Sequence, residues 1–220
     1  KNNGNGTESG NVRVFKYDGS QWTILGQEII GSAQNVQSGW SVSLSSDGTF
    51  LAVGSPFFDN SRGNVSIYEL IEGSTTSARW QQVGSPINGE ERGDKSGGSV
   101  SLSSNGMTVA IGASSNDGNG ENSGLVRIYK WRGTLWQKIG QDIYGEKRYD
   151  QNGTSVSLNS DGNIVAIGAL TNDGPISGRD STDNRGVVRV FKYEDTSSNW
   201  EQIGQHIYGV ERRDYSGRSV

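Results

Sequence analysis

Residues 38–48 read SGWSVSLSSDG, and the stretch returns as SGGSVSLSSNG at residues 96–106 and as NGTSVSLNSDG at residues 152–162. It begins once more as SGRSV at residues 216–220. Its alternation of serine with valine or leucine is typical of a β-strand with one buried face, and the Asp-Gly or Asn-Gly pair predicts a two-residue hairpin turn. A stretch that recurs in this way indicates one structural unit repeated along the chain.

Three further segments recur in step with this one. An apolar run after the turn predicts a second strand, a V-R-V-F-K-Y type segment predicts a third, and a segment opened by tryptophan predicts a fourth. Those tryptophans stand at positions 22, 80, 136 and 200, at intervals of 58, 56 and 64 residues. No long window has helical periodicity. Four antiparallel strands in units of about 56–64 residues predict an all-β protein built from β-propeller blades. An antiparallel β-solenoid is the alternative, although its coils are usually shorter.

The repeats predict the boundaries of the units. A partial blade with only the third and fourth strands occupies residues 1–37, and complete blades occupy residues 38–95, 96–151 and 152–215. Residues 216–220 start the next blade. About 3.5 blades are therefore present, and we expect this chain to be part of a longer one.

Composition excludes several classes of protein. The 220 residues carry a net charge of −4, with 33 glycines and no cysteine. This balance argues against nucleic acid as a partner, no apolar run is long enough for membrane insertion, and disulfides and thiolate catalysis are excluded. The sequence has no nucleophile elbow, phosphate-binding loop or zinc spacing. Its one histidine, His206, occupies the repeat position held elsewhere by Glu28, Pro86 and Asp142. We therefore expect that the chain is not an enzyme.

The repeat resembles the FG-GAP repeat, the blade of integrin α-subunit propellers and of many microbial and algal surface proteins. Residues 38–42 (SGWSV) stand in the place of that family's FG-x-S-V segment. Residues 53–56 (VGSP), 111–114 (IGAS) and 167–170 (IGAL) stand in the place of its GAP segment. The G-x-V-x-V-F/Y strand follows, and the resemblance covers nearly the whole chain. It implies an extracellular or cell-surface protein that acts in recognition, adhesion or scaffolding.

From this resemblance we expect a non-catalytic recognition or scaffold module. Its partners would be proteins, through self-assembly or through other surface proteins, and it would suit a building block of a surface filament or appendage. A carbohydrate-binding or adhesion module that contacts glycans is the alternative. A sialidase-like hydrolase is more remote, because the turn at Asp47 lacks the tryptophan and the spacing of the Asp-box.

No cofactor is expected. The calcium loop of integrin-type repeats has shrunk here to a turn with at most one carboxylate, whereas Ca²⁺ needs six to eight oxygen ligands, so Ca²⁺ is not favoured. Acidic residues between the second and third strands are the candidates for a metal site, although short aspartates also cap turns. They are Asp59, Asp117, Asp173, Asp180 and Asp183.

Aromatic residues and sequons complete the candidates. The four tryptophans that open the fourth strands are expected to pack between blades, whereas Trp40 and Trp131 each occur in one blade and are candidates for stacking on a sugar. Sequons for N-glycosylation begin at Asn5, Asn64 and Asn152.

Overall fold

The fold is an array of antiparallel β-sheets. The computed structural model describes residues 4–72, 78–174 and 183–220. Three consecutive sheets each contain four strands in sequence order, and the fourth strand continues as a short segment that returns to the third. This confirms the prediction of an all-β chain of four-stranded antiparallel blades. The one helical turn in the described ranges, α1, spans Phe58–Ser61, and none of the described helices is long or apolar enough to cross a membrane.

We name the complete sheets blades A, B and C, and their strands a to d from first to last. Blade A consists of β5 (Ser41–Leu44), β6 (Phe50–Ser55), β7 (Asn64–Ile71), β8 (Arg79–Gln82) and β9 (Ile87–Asn88). Blade B consists of β10 (Ser99–Leu102), β11 (Thr108–Ala113), β12 (Leu125–Trp131), β13 (Trp136–Lys138) and β14 (Ile143–Tyr144). Blade C consists of β15 (Asn152–Leu158), β16 (Ile164–Ala169), β17 (Val187–Glu194), β18 (Asn199–Gln202) and β19 (Ile207–Tyr208).

A partial blade precedes blade A. It consists of β1 (Asn11–Val12), β2 (Phe15–Tyr17), β3 (Trp22–Ile24) and β4 (Ile29–Ile30). β1 pairs with β4 and β2 pairs with β3, which corresponds to strands c and d of the complete blades. In the described ranges no other strand joins these pairs.

The turn between strands a and b differs from the predicted two-residue turn. In blade A the Ser45 amide donates to the Phe50 carbonyl, so four residues lie in the loop. Gly48 has φ +72°, but Asp47 has no positive φ, which a type I′ turn would require. The Asp47 carboxylate instead accepts bonds from the Ser45 hydroxyl at 2.6 Å and the Thr49 amide at 3.0 Å. The aspartate therefore acts as a side-chain cap of the turn.

The apolar core lies between neighbouring sheets. One cluster joins strand c of blade A, through Val65 and Ile67, to strands a and b of blade B, through Val100 and Val109. A second cluster joins blades B and C in the same way. Each sheet therefore buries apolar side chains against its neighbour, which is the packing of propeller blades.

Glycine in strand b permits this close approach. A Cβ added to Gly54 would lie 2.2 Å from the Gly97 carbonyl of the next blade, and one added to Gly112 would lie 2.1 Å from the Gly153 carbonyl. Any side chain at these positions would push the blades apart. The Ser41 hydroxyl donates to the same Gly97 carbonyl at 2.8 Å.

The tryptophans of strand d connect the outer parts of the blades, as predicted for three of them. The indole N–H groups of Trp80, Trp136 and Trp200 each donate to a backbone carbonyl of the preceding blade, at 2.9–3.0 Å. Trp80 and Trp200 are buried, whereas Trp136 is only half-buried. Trp22 has 69 % of its surface exposed, since no blade lies before it in the described chain.

Candidate functional site

The two tryptophans proposed as sugar platforms differ in their surroundings. Trp40 is exposed and meets Phe57 edge to face, with ring centroids 5.4 Å apart. Trp131 lies 5.4 Å from the Trp136 ring, and a Cβ added to Gly84 of the preceding blade would contact its indole at 2.8 Å. Trp131 thus belongs to the packing between blades A and B, and only Trp40 presents an open ring.

The acidic candidates for a metal site mostly bind amides or charged side chains of their own loops. Asp117 accepts a bond from the Asn122 amide at 2.7 Å, and Asp59 lies 3.3 Å from the Arg62 guanidinium. Asp173 accepts bonds from the amides of residues 183 and 184, at 3.1 and 3.0 Å, so it is joined to the loop segment that holds Asp183.

The remaining aspartates add no cluster. The Asp183 carboxylate lies 3.2 Å from Arg185 and 2.6 Å from Arg212, and Asp180 lies outside the described residues. Within residues 4–72, 78–174 and 183–220 no three acidic or histidine side chains converge on a metal position.

The asparagines of the three sequons differ in their exposure to solvent. Asn152 is fully buried, and its Nδ2 donates to the Ile143 carbonyl at 2.8 Å. Asn64 is also buried, at the start of strand c. Because glycan attachment needs an accessible amide nitrogen, we now expect no modification of either in the folded chain. Asn5 is exposed, although its Nδ2 donates to the Gly31 carbonyl.

A buried arginine of strand c defines a polar cluster between blades A and B, the Arg127 cluster. Arg127 lies 2.5 Å from Asp142 of its own blade and 2.7 Å from Glu90 of the preceding blade. Lys138 also reaches Asp142, at 2.6 Å, and the Tyr144 hydroxyl donates to it at 3.1 Å. Each charge has an opposite charge in contact, so this cluster is a closed ion-pair network.

The equivalent position between blades B and C contains a different set of side chains, and we call it the Arg189 cluster. Arg189 occupies the place of Arg127, Glu146 that of Glu90, and His206 that of Asp142. The His206 Nε2 lies 2.7 Å from the Glu146 Oε1. The Arg189 guanidinium is 3.5 Å from the same oxygen and donates instead to the Asn152 Oδ1, at 2.8 Å.

Local structure holds each member of the Arg189 cluster. His206 lies between β18 and β19, and its ring stacks on Tyr208 with centroids 5.3 Å apart and an interplanar angle of 11°. Glu146 begins the loop from blade B to blade C. The buried Asp150 carboxylate accepts the amides of Glu146 and Lys147, at 3.0 and 2.9 Å, and so fixes that loop.

The two clusters differ in how far ion pairs and hydrogen bonds offset the effect of burial on the pKa values of their charged groups. Burial opposes the charge of Asp142, but hydrogen bonds from Arg127 and Lys138 outweigh it and lower the pKa of Asp142 to about 2. In the Arg189 cluster burial prevails. It lowers the pKa of Arg189 and raises the pKa of Asp150. The second cluster thus contains charges that their partners compensate less fully.

A carboxylate that orients an imidazole is a known means of preparing a general base, since it fixes the ring and stabilises the imidazolium. In this cluster one ring nitrogen of His206, Nε2, is held by the Glu146 carboxylate. The sequence-based interpretation of His206 as an ordinary edge position missed this pairing. The available signal was the replacement of an acidic residue by histidine in a repeat that retains both the arginine and the glutamate.

Two solved structures with a similar fold carry the name of a lactone-hydrolysing enzyme. The chain superposes on a candidate 6-phosphogluconolactonase from Bacteroides uniformis with a TM-score of 0.56 and 14 % identity, covering 93 % of this chain and 50 % of that one. For a second such protein, from Bacteroides fragilis, the values are 0.55, 13 %, 92 % and 50 %. The chain therefore spans about half the length of each. Comparison with protein-family models and with curated sequences finds no match.

These likenesses support a β-propeller fold and correct two expectations. The chain was expected to be a non-catalytic scaffold and not an enzyme, yet the architecture is shared with proteins named for lactone hydrolysis. The prediction that the chain is not an enzyme was wrong because the absence of short catalytic motifs does not exclude a site built from residues far apart in sequence. Residues far apart in sequence, such as 146 and 206, meet only in the folded chain. At 14 % and 13 % identity the likeness concerns the fold, and activity has to be argued from side chains.

Proposed function

We propose that this chain carries the hydrolytic site of a propeller hydrolase that opens sugar lactones. The observation that carries the proposal is the contact of 2.7 Å between His206 and Glu146, which lies 3.5 Å from the buried Arg189. The names of the two Bacteroides proteins supply the substrate class, since both refer to a gluconolactone phosphate.

The proposed reaction uses His206 as general base. Its imidazole takes a proton from water while the water oxygen attacks the lactone carbonyl carbon. The bond from that carbon to the ring oxygen then breaks, and the imidazolium returns the proton to the departing oxygen as a hydroxyl. Lactone and water thus give one hydroxy acid. Proton transfer of this kind typically contributes about 10²–10⁴-fold to the rate.

Glu146 and Arg189 act as positioning residues in this scheme. The Glu146 carboxylate fixes the orientation of the imidazole. Arg189 is held by the Tyr144 carbonyl at 2.7 Å and by Asn152 at 2.8 Å, which keeps a positive charge close to Glu146. The Arg127 cluster lacks an imidazole and is proposed to be structural.

Hydrolysis of glucono-1,5-lactone and of its 6-phosphate tests the proposal, with the uncatalysed rate subtracted. We expect the chain to accelerate hydrolysis, and His206→Gln to lower kcat/KM by about 100-fold or more. Glu90→Gln is the matched control for Glu146→Gln, because Glu90 holds the same position in the Arg127 cluster. It should leave kcat/KM within about twofold of the unmodified value, whereas Glu146→Gln should lower it. No acceleration of either lactone, or full activity of His206→Gln, would refute the proposal.

We also propose that the repeats are of the FG-GAP kind and that the protein is extracellular. The contact of strand-b glycine with the next blade, as at Gly54 and Gly97, supports the first point because it gives a packing role to the glycine of the GAP segment. The exposed sequon at Asn5 supports the second. Expression in a eukaryotic secretory host should add a glycan mass that Asn5→Gln removes, and secretion without modification would count against it.

A further inference from the structure

A polar cleft lies between blades B and C, and we call it the B–C cleft. It has a volume of about 350 Å³, which is within the usual range for small-molecule sites, and its lining includes Thr108, Lys130, Arg132, Asp161, Asn163 and Asp195. These residues belong to the turns from strand a to b and from strand c to d, or to the strand ends beside them. Glu146 lies in the loop from strand d to strand a, at the other end of the blades. The cleft is therefore separate from the Arg189 cluster.

The same place between blades A and B contains larger apolar side chains. Phe50 holds the position of Thr108 in the repeat, and Met107 holds that of Asn163. The Phe50 side chain packs on the turn of blade B, because a Cβ added to Gly106 would lie 2.4 Å from its ring. The exchange of phenylalanine for threonine thus removes a ring from the later interface and leaves polar groups around the space.

A buried hydroxyl group lines the B–C cleft without a protein partner. Thr108 has only 3 % of its surface exposed. Its backbone amide donates to the Ser103 Oγ at 3.0 Å, but its own Oγ1 makes no hydrogen bond to any residue in the described ranges. A buried polar group that lacks a partner is costly, and a bound ligand would supply the missing hydrogen bond.

Asp161 differs from its repeat counterparts in what its side chain binds. Asp47 and Asn105 each accept hydrogen bonds within their own turns. In blade C the Asn159 Oδ1 accepts both turn amides, those of residues 163 and 164, at 3.0 and 2.9 Å. The Asp161 carboxylate consequently makes no hydrogen bond to the part of the chain that the structure describes. It is available to a ligand.

The two walls of the cleft carry opposite charges. Blade B contributes Lys130 and Arg132, whereas blade C contributes Asp161 and Asp195. Among the residues that the structure describes, no ion pair joins one wall to the other. The Lys130 ammonium group has no hydrogen bond to them, and Arg132 uses its Nε for Gln137, at 3.2 Å. Cationic donors and anionic acceptors thus lie on opposite sides of one space.

We infer that the B–C cleft binds a small zwitterion, an amino acid or a short peptide with free termini. The ligand carboxylate contacts Lys130 and Arg132, and charge-assisted hydrogen bonds of this kind are the strong ones. The ligand ammonium group contacts Asp161 and Asp195. A neutral sugar would leave all four charges without an opposite charge, and within the described ranges no three acidic or histidine side chains converge on a metal position. The inference is independent of the proposed hydrolysis.

The test titrates alanine and alanylalanine, as separate probes, into the ¹⁵N-labelled chain. We expect a saturable shift of the Thr108 and Gly162 amide signals in a ¹H–¹⁵N correlation spectrum. The probe that binds more tightly identifies a free amino acid or a peptide as the ligand. N-acetylalanine lacks the ammonium group and alaninamide lacks the carboxylate, so each should bind at least about tenfold more weakly, as expected for the loss of a charged hydrogen bond.

Two exposed residues give variants that are expected to fold. Asp161→Asn introduces the residue that blade B has at this position, and Lys130→Glu introduces the residue that blade A has. Each should weaken binding of the better probe by about tenfold or more. Glu69→Gln is the matched control, because Glu69 holds the position of Lys130 in blade A, and it should leave binding unchanged.

Thr108→Val separates binding from stability. It keeps the shape of the side chain and removes the unpartnered hydroxyl, so it should raise Tm while it weakens binding. A lower Tm would show that the hydroxyl already has a partner and would count against the inference. A chain that gives no saturable shift with either probe would overturn it, as would binding that is unchanged in Asp161→Asn and Lys130→Glu. Equal shifts with glucose would also overturn it, in favour of a site for neutral sugars.

Discussion

Trp200→Ala tests the packing between blades most sharply. Trp200 has only 2 % of its surface exposed, donates its indole N–H to the Ile139 carbonyl at 3.0 Å and lies against Gly140 and the Tyr193 ring. Removal of a core tryptophan typically costs about 3–5 kcal/mol, since the cavity relaxes only in part. For a chain of this length each kcal/mol lowers Tm by about 2–4 °C, so the expected loss is about 6–20 °C.

The repeat supplies a matched control for this variant. Trp22 opens the same strand of the partial blade, but its side chain is mostly exposed. Trp22→Ala should therefore change the free energy of unfolding by less than about 0.5 kcal/mol, as is usual for surface substitutions. Urea unfolding followed by circular dichroism gives both values under one condition. Similar losses for the two variants would refute the packing account, because position in the repeat would then matter more than burial.

Three further outcomes follow from the contacts. Asp142→Asn should lower the free energy of unfolding by about 1–2 kcal/mol at pH 7, because a carboxylate with a lowered pKa stabilises the fold above about pH 4 and stops doing so as the pH falls towards 2. Urea unfolding from pH 7 to pH 3 should show this difference in free energy shrink, and a constant difference would contradict the argument. Gly112→Ala should lower the free energy of unfolding by about 1–3 kcal/mol, because the added methyl group overpacks against the next blade. Gly98→Ala, whose Cβ would have its nearest contact at 3.3 Å, should lower it little, and equal melting temperatures for the two variants would contradict this. Removal of divalent ions with EDTA should leave Tm unchanged in a thermal scan, and a clear decrease would reveal a metal site.

The blades were predictable because their signals are local. Alternation at Ser99–Leu102 indicates one covered face, the apolar run at Phe50–Ser55 indicates a strand covered on both, and repetition of the pattern strengthens both predictions. The turn type was not predictable in the same way. Asp-Gly favours a two-residue turn, but the bonds of the Asp47 carboxylate to Ser45 and Thr49 stabilise a longer loop.

The candidate site was not predictable from local pattern. His206 and Glu146 are 60 residues apart and meet only because consecutive blades lie side by side. Their pairing also depends on the loop that Asp150 holds in place, which no periodicity describes. Trp131 illustrates the same limit. It occurs in one blade, which makes it a candidate for stacking on a sugar, but the glycine at position 84 lets its ring pack on the preceding blade.

The most direct test of the proposed site uses the fact that the chain has one histidine. Its imidazole gives a single set of side-chain signals in a ¹H–¹⁵N correlation spectrum, without assignment of the rest. Gluconate, the product of lactone opening, is titrated into the chain and into the Glu146→Gln variant. We predict a saturable shift of the imidazole signals in the unmodified chain and a much weaker shift in the variant. Imidazole signals that stay fixed at millimolar gluconate would contradict a sugar-acid site at His206.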